Sequence, residues 1–371
     1  MRIKERLQKY DVVFLGLVLG FVLFGLIVLA SASGPQAFER FGDSYYFVKH
    51  QFLQGILPGL LAFFVGATIP YTTWKKYAMP LLILSIVFLL LVFIPGIGTD
   101  YGTFAKSWIQ LGAFGFQPSE FAKLSFLLYL AAWLEGRKET VKDFKEGLLP
   151  FLVLLGLVGG LIFLQPDLGT LSILLAMALM VFFVAGGSIW HLLGIGAGGV
   201  GLLAIAIKFS AYRSARFMTF LHPELDPQGI GYQVNQSLLA IGSGGFLGRG
   251  YGHSLQKFQY LPEVIGDSIF AVIGEEMGFF FTTAFIIILL IFLLRGLKIG
   301  SAAKHGFGKY VAVGMIAWIG VQAFVNIGSM LAILPVTGVP LPFISYGGTS
   351  LIAILAGCGI VLNISKDSKR R

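Results

Sequence analysis

The chain has 371 residues, of which 56% are hydrophobic and 12% are charged, and its mean hydropathy is +0.84. Soluble globular domains carry about 25% charged residues, so the composition excludes that class and predicts an all-α polytopic membrane protein. The net charge of +9 suggests a nucleic-acid partner only until the positions of the charges are considered. The single cysteine, Cys358, excludes an internal disulfide.

Ten apolar windows are long enough to cross a bilayer core, which requires about 20 helical residues. The predicted transmembrane helices cover 12–31, 52–69, 78–95, 118–134, 148–164, 167–186, 189–208, 267–294, 310–332 and 350–364. The first window follows a basic segment and resembles a secretory signal, but its apolar stretch from Val12 to Ala30 exceeds the roughly 7–15 residues of a signal. We therefore interpret it as an uncleaved membrane span.

The basic residues predict the orientation of these helices. With a cytoplasmic N-terminus, 18 of the 27 Lys and Arg residues fall in cytoplasmic segments, as the positive-inside rule requires. Both termini are then cytoplasmic, and the basic excess is explained without nucleic acid. The prediction is one membrane domain, 1–371, with a large extracytoplasmic loop, 210–266, between helices 7 and 8.

The predicted loop 210–266 is longer than most connections, and loops of this length are usually functional or disordered. It is too rich in aromatic and aliphatic residues to be typical of disorder. Its glycine run, 242–250, has no nucleotide-binding lysine motif, so we expect tight turns or close backbone approach there. The five histidines lack metal-ligand spacing, which predicts no zinc site.

Ionisable residues occur near the starts of two predicted helices, where Gln-Pro is followed by an acid. Proline suits the first helical position, and an acid suits the first turn. Helix capping accounts for both Glu120 and Asp167, but not for Lys123, one turn deeper on the face of Glu120. A buried Glu–Lys pair contributes little net stability, which favours a functional role for Glu120 and Lys123.

The predicted eighth helix begins at Asp267 and carries Glu275 and Glu276. At 1.5 Å per residue, Glu276 would lie about 13 Å below Asp267, near the bilayer midplane. Two adjacent carboxyl groups at that depth must be neutral, paired or in a polar cavity. Asp267, at the outer interface, has the position that a general base needs.

The last outer loop, 337–350, has two prolines and two glycines flanking aromatic residues. Irregular backbone at membrane depth is tolerated where it is buried in protein or lines a polar cavity. We therefore expect this loop to form one wall of a site.

These motifs resemble the SEDS proteins (shape, elongation, division and sporulation), the FtsW/RodA group of bacterial peptidoglycan glycosyltransferases. The resemblance covers essentially all ten predicted helices. The matching motifs are Lys106-Ser107-Trp108-Ile109, Gln117-Pro118-Ser119-Glu120 with Lys123, Gln165 to Thr170, Gly231-Tyr232-Gln233 with Gln236-Ser237, Leu261-Pro262-Glu263 with Asp267, and Gly338 to Ser350.

The resemblance implies polymerisation of lipid II into glycan strands at the outer face of the cytoplasmic (inner) membrane. It places the family's essential loop aspartate on Asp267, which we interpret as the catalytic base. The residues expected to contact substrate are Glu120, Lys123, Asp167, Arg213, Arg216, Gln233, Gln236, Lys257, Ser345 and Tyr346. Four of them are the candidates to stabilise the leaving pyrophosphate: Lys123, Arg213, Arg216 and Lys257. Glu120 and Asp167 could hold Lys123 in place or bind a divalent cation, Mg²⁺ or Mn²⁺, and the sequence leaves both open.

The resemblance also implies a class B penicillin-binding transpeptidase as partner, with other divisome or elongasome membrane proteins. The segment 42–47 and the loop from Gly338 favour the division-type branch, with septal cell-wall synthesis, over a RodA-like elongation polymerase. Two rival functions remain. A lipid II flippase would need matching repeats with broken helices, and no such repeat stands out. A structural scaffold would leave Asp267 and Glu120 without a role.

Overall fold

The protein is mostly helical. The computed structural model describes residues 10–99, 106–111, 114–137, 139–209, 211–222 and 229–368. In chain order the helices are α1 (Val12–Phe41), α2 (Tyr46–His50), α3 (Leu57–Thr68), α4 (Tyr71–Leu91), α5 (Pro118–Glu135), α6 (Leu149–Leu164), α7 (Leu168–Val184), α8 (Ile189–Lys208), α9 (Ala211–Leu221), α10 (Ile230–Ser243), α11 (Ile269–Ser301), α12 (Gly306–Met330) and α13 (Gly348–Ser368). A π-helical turn, Gln51–Ile56, joins α2 to α3, and another, Phe144–Leu148, precedes α6.

A small antiparallel sheet corrects the all-α prediction. Strands β1 (Gly98–Thr99), β2 (Trp108–Leu111) and β3 (Phe114–Phe116) pair in chain order between α4 and α5. Ile109 lies opposite Gly98 on one side and Phe116 on the other. Strands of two to four residues are too short to produce a periodic signal, so apolar windows of spanning length do not reveal them.

Among the described residues, seven helical segments are long and apolar enough to cross a membrane. They are α1, the continuous Tyr46–Thr68, α4, Phe144–Leu164, α11, α12 and Gly348–Asp367. The protein is therefore a multi-pass membrane protein. The other three predicted spans also form helices: α5 carries Glu120, Lys123 and Glu135, and α7 is only 17 residues long. The helix α8 matches the predicted bounds 189–208.

The ends of several helices differ from the prediction. Helix α1 continues ten residues past position 31 and ends where Gly42 adopts a left-handed conformation, with its N–H donating to the Phe38 carbonyl. Helix α7 begins after Asp167, so Pro166 precedes the cap instead of occupying the first helical position. Asp167 is the N-cap and accepts a hydrogen bond from the Thr170 amide.

Helix α12 lies at the centre of the fold, because it packs against α5, α7, α11 and α13. Trp318, in the middle of α12, is fully buried. Helices α3 and α13 approach closely through glycines: a Cβ at Gly359 would lie 2.2 Å from the Phe63 carbonyl oxygen. Helix α8, in contrast, has no buried residue among those described.

The predicted loop 210–266 contains helices α9 and α10, separated by residues 223–228, which lie outside the described part of the chain. Helix α10 packs on α11. A series of turns from Gly244 to Ser268 then leads into α11.

Candidate functional site

Asp267 lies in the turn immediately before α11, which begins at Ile269, two residues later than the predicted start at Asp267. Asp267 is buried, with 8% of its surface exposed. The turn is held by backbone hydrogen bonds, since the Glu263 carbonyl accepts from the amides of Gly266 (3.0 Å) and Ser268 (3.2 Å). From α12, the Asn326 side chain donates to the Asp267 carbonyl oxygen at 2.8 Å. Asp267 is therefore fixed by its backbone from two directions.

The last outer loop contacts the same turn. The Ser345 hydroxyl donates to the Gly266 carbonyl at 2.6 Å, and the Tyr346 amide donates to the Ile265 carbonyl at 2.8 Å. The Ser345 oxygen also accepts from the Leu341 amide. The structure thus brings Ser345 and Tyr346 beside Asp267, as the expected wall of a site requires, and these hydrogen bonds fix the backbone of the turn.

Helix α10 supplies the two predicted glutamines. The Gln233 amide donates to the Ser268 hydroxyl at 3.0 Å, next to Asp267 in the chain. Gln236 lies one turn further along and is half-buried, and its side-chain oxygen is buried without a hydrogen-bond partner among the described residues. Four of the predicted residues therefore surround the Asp267 turn or lie on the helix that contacts it.

Glu120 and Lys123 form the predicted ion pair, with 2.6 Å between Lys123 Nζ and Glu120 Oε1. Both side chains are buried, at 3% and 1% exposure. Lys123 Nζ also donates to Gln322 Oε1 at 3.4 Å and lies 4.6 Å from the centre of the Trp318 ring. The second carboxylate oxygen, Glu120 Oε2, is buried without a hydrogen-bond partner in the described structure. This pair thus has unused hydrogen-bonding capacity.

Helix α12 connects this pair to the Asp267 turn through two residues that the sequence prediction missed. Gln322 contacts Lys123 and donates to the Pro340 carbonyl at 2.9 Å. Asn326, one turn later, donates to the carbonyls of Val339 and Asp267, both at 2.8 Å. The signal was available in the sequence, because Trp318, Gln322 and Asn326 are four residues apart and so share a helix face.

Asp167 caps α7 where that helix meets the last outer loop. The close approach depends on Gly169, because a Cβ there would lie 2.5 Å from Val339 Cγ2 and 3.0 Å from the Thr337 carbonyl oxygen. Asp167 therefore lies at the helix end that packs on the loop joined to Gln322 and Asn326. Its side chain accepts the capping hydrogen bond from the Thr170 amide.

Lys257 lies apart from these contacts, in a cleft of about 520 Å³. The cleft is lined by Gln36, Glu39, Arg40, Lys257, Gln259, Leu261, Pro262, Glu263 and Val264. Lys257 is itself buried and ion-paired with Glu276 at 2.8 Å. Arg213 and Arg216 belong to α9, but their side chains lie outside the described residues.

The described residues include no group of three His, Cys, Asp or Glu side chains that could hold a metal ion. The predicted pair Glu120 and Asp167 offers two carboxylates, and the ammonium group of Lys123 beside Glu120 opposes a further cation. This donor set does not fit a divalent ion held by protein alone. The divalent cation therefore stays a prediction.

The full chain is similar to known bacterial proteins. A sequence family described as "Cell cycle protein" (FTSW_RODA_SPOVE) matches residues 11–370. A protein of Geobacter sulfurreducens (strain DL-1 / KN400) named "Probable peptidoglycan glycosyltransferase FtsW" is 39% identical, covering 100% of this chain and 98% of its own. "Stage V sporulation protein E" of Bacillus subtilis (strain 168) is 39% identical, covering 97% and 98%.

Solved structures share the fold. A chain in "Structural coordination of polymerization and crosslinking by a peptidoglycan synthase complex" aligns with a TM-score of 0.79 at 30% identity, covering 98% of this chain and 99% of its own. The Rod shape determining protein RodA of Thermus thermophilus aligns with a TM-score of 0.71 at 31% identity, covering 96% and 97%. The likeness therefore extends over whole chains.

Proposed function

Because the chain belongs to the FtsW/RodA/SpoVE family of cell cycle proteins, we propose that it is a peptidoglycan glycosyltransferase that polymerises lipid II with Asp267 as the general base. The resemblance to SEDS proteins inferred from the sequence motifs is confirmed by this family match. Relatives named as FtsW glycosyltransferases, 38–39% identical over their full length, support the enzymatic activity. Their name also supports a role in septal cell-wall synthesis.

The observation that carries the assignment of Asp267 is its position where α10, α12 and the last outer loop meet. Gln233, Asn326 and Ser345 each bond to Asp267 or to a residue adjacent to it. A base must be held in a defined place within hydrogen-bond reach of the proton that it removes. Three segments of the chain therefore hold the turn that carries the Asp267 carboxylate.

The proposed reaction is a direct displacement. The acceptor sugar hydroxyl gives its proton to Asp267, and its oxygen forms a bond to the anomeric carbon of the donor. The bond from that carbon to the pyrophosphate oxygen breaks, and the lipid pyrophosphate leaves with the electron pair. Inversion at the anomeric carbon converts an α-linked donor into a β-linked polymer.

The leaving pyrophosphate needs positive charge, which a preorganised cation can supply. Among the described residues, Lys123 is the candidate for this charge. Its ammonium group is held by Glu120, Gln322 and the Trp318 ring. The second Glu120 oxygen, Oε2, has no hydrogen-bond partner among the described residues. Arg213 and Arg216 remain predictions for the same task. Gln236 and Asp167 remain predicted substrate contacts.

We further propose that the spanning helices number ten, with α5, α7 and α8 added to the seven long apolar segments. Both termini are then cytoplasmic, and Asp267 faces the outside of the cytoplasmic membrane. A class B penicillin-binding transpeptidase is the proposed partner. This is supported by the likeness to a chain from a structure titled as a peptidoglycan synthase complex.

The test is polymerisation of purified lipid II by the protein reconstituted with its transpeptidase. Asp267→Asn should lower the rate at least about 100-fold, the usual contribution of a general base. Asp43→Asn is the matched control, because Asp43 is an exposed aspartate paired with Lys49, and it should retain the wild-type rate.

Two results would overturn this proposal. Equal glycan yield from wild type and Asp267→Asn would remove Asp267 from catalysis. Absence of glycan from both, together with lipid II movement across the vesicle membrane, would instead identify a flippase.

A further inference from the structure

A second buried ionic cluster lies outside the site described above and joins three parts of the chain. Lys257 Nζ donates to Glu276 Oε1 at 2.8 Å, to the Ser31 hydroxyl at 3.0 Å and to the Gly252 carbonyl at 2.7 Å. An ammonium group has three donors, so all of them are engaged. The predicted contact of Lys257 with a substrate phosphate would require one of these bonds to break.

Glu276 is similarly occupied. Its two carboxylate oxygens accept from the Ser31 hydroxyl at 2.6 and 2.8 Å, and Oε1 also accepts from the Ser254 amide at 3.3 Å. Ser31 belongs to α1, Lys257 to the segment before Asp267, and Glu276 to α11. The cluster therefore fastens that segment to two helices.

Glu275 has a separate set of donors on the same segment. It accepts from the Ser254 hydroxyl at 2.5 Å and from the amides of Leu255 and Gln256 at 2.9 and 3.3 Å. The two adjacent carboxylates are thus paired, one of the three arrangements that their depth allows. Both bind the same short stretch, residues 252–257.

The backbone repeats this attachment at a break in α11. Gly278 has non-helical angles (φ 75°, ψ −177°), which interrupts the helical hydrogen bonds. The glycine run replaces them: the Phe279 amide donates to the Gly245 carbonyl, and the amides of Arg249 and Gly250 donate to the carbonyls of Glu275 and Glu276. A Cβ at Gly248 would lie 2.3 Å from the Glu276 carbonyl, so glycine is required there.

The fastened segment leads directly to the proposed base. After Lys257 the chain lines the cleft through Val264, and Glu263 then accepts the two hydrogen bonds that close the Asp267 turn. We infer that Lys257, Glu276 and Ser31 are positioning residues. Together they hold residues 252–264 against α1 and α11 and thereby place Asp267 for the proposed glycosyl transfer, on which the catalytic part of this inference rests.

The test measures the position of the segment separately from the reaction. Gln259 donates a hydrogen bond to Glu39 across the cleft, so cysteines at these two positions, in a Cys358→Ala background, should cross-link readily under copper-phenanthroline oxidation. Glu276→Gln and Lys257→Met should each lower the cross-linking rate about tenfold, within the usual range of coupling between contacting residues.

The kinetic expectation is a fall in kcat of about tenfold with KM for lipid II changed less than about twofold, because positioning acts on the reaction more than on binding. The double variant Lys257→Met/Glu276→Gln leaves no unpaired buried charge and should therefore fold, but it lacks the fastening contacts, so its cross-linking rate and kcat should stay lowered. It also guards against single variants that fail to fold. Lys49→Met removes an exposed ion pair and should change neither signal.

The outcomes separate the two proposals. Unchanged cross-linking in both single variants, or a raised KM with unchanged cross-linking in Lys257→Met, would overturn the positioning role, the second by favouring a phosphate contact. If wild type makes no glycan while cross-linking responds as expected, the proposed function fails and the fastening of the segment stands.

Discussion

The protein contains two buried glutamate–lysine pairs that differ in how completely they are satisfied. In the Glu120–Lys123 pair, one carboxylate oxygen has no partner among the described residues, and the ammonium contacts an amide oxygen and an aromatic face. In the Glu276–Lys257 pair, every ammonium donor and both carboxylate oxygens are engaged. The nitrogen–oxygen distances are nearly equal, at 2.6 and 2.8 Å.

The difference indicates that pairing distance alone does not reveal a function. An incompletely satisfied buried ion is costly, so its retention favours a role with a ligand. A fully satisfied cluster that joins distant segments favours a role in positioning. The same substitution at the two glutamates therefore separates the roles.

The largest expected effect on stability is that of Glu276→Leu. It leaves the Lys257 ammonium buried without its anion and removes the acceptor of Ser31 and of the Ser254 amide. Breaking a buried pair in this way costs about 3–5 kcal/mol. Denaturant titration of the purified protein in detergent measures the loss, and a change below about 1 kcal/mol would contradict the assignment.

The same change at Glu120 should lower stability less and polymerisation activity more. In the described structure Glu120→Leu removes the acceptor of a single donor, Lys123 Nζ, whereas Glu276→Leu removes that of three, so we expect a smaller stability loss of about 1–3 kcal/mol. Lipid II polymerisation should fall by about 100-fold, the effect of losing one electrostatic contribution to the transition state. Near-normal polymerisation would show that this pair is structural.

The smallest expected effect comes from a change in α7 that tests its contact with the last outer loop and touches neither ion pair. Gly169→Ala places a methyl group 2.5 Å from Val339 Cγ2, and such overpacking costs about 1–3 kcal/mol. Gly194→Ala is the matched control, since no atom lies within 4 Å of its added Cβ and alanine favours a helix by up to about 1 kcal/mol. Equal thermal stability of the two variants would contradict the close contact of α7 with the loop.

Local sequence patterns predicted much of the fold and part of the site. Each of the ten apolar windows falls on a helix and most of their ends agree to within a few residues, because each such helix is driven by its own composition, whereas α9 and α10 lie in a predicted loop. Pro118 and the Glu120–Lys123 spacing predicted a helix start and an ion pair correctly, since both are contacts within one turn. The three short strands were not foreseen, and Asp167 is the N-cap itself where the sequence predicted an acid in the first turn after Pro166.

Contacts between distant segments were beyond such patterns. The partners of Lys257 could not be predicted, because a lone lysine in a predicted outer loop shows no sign of Glu276 or Ser31. Its contact with the substrate stays a prediction. Gln322 and Asn326 were overlooked among apolar neighbours, although their spacing places them on one face of α12.

The sequence by itself determined the class of protein and most of its helices, because hydropathy and helix periodicity act over neighbouring residues, and its family resemblance predicted the role of Asp267. Only the tertiary structure decided which buried charges are satisfied. That depends on donors from segments as far apart as Ser31, Lys257 and Glu276, which meet only after the helices have packed.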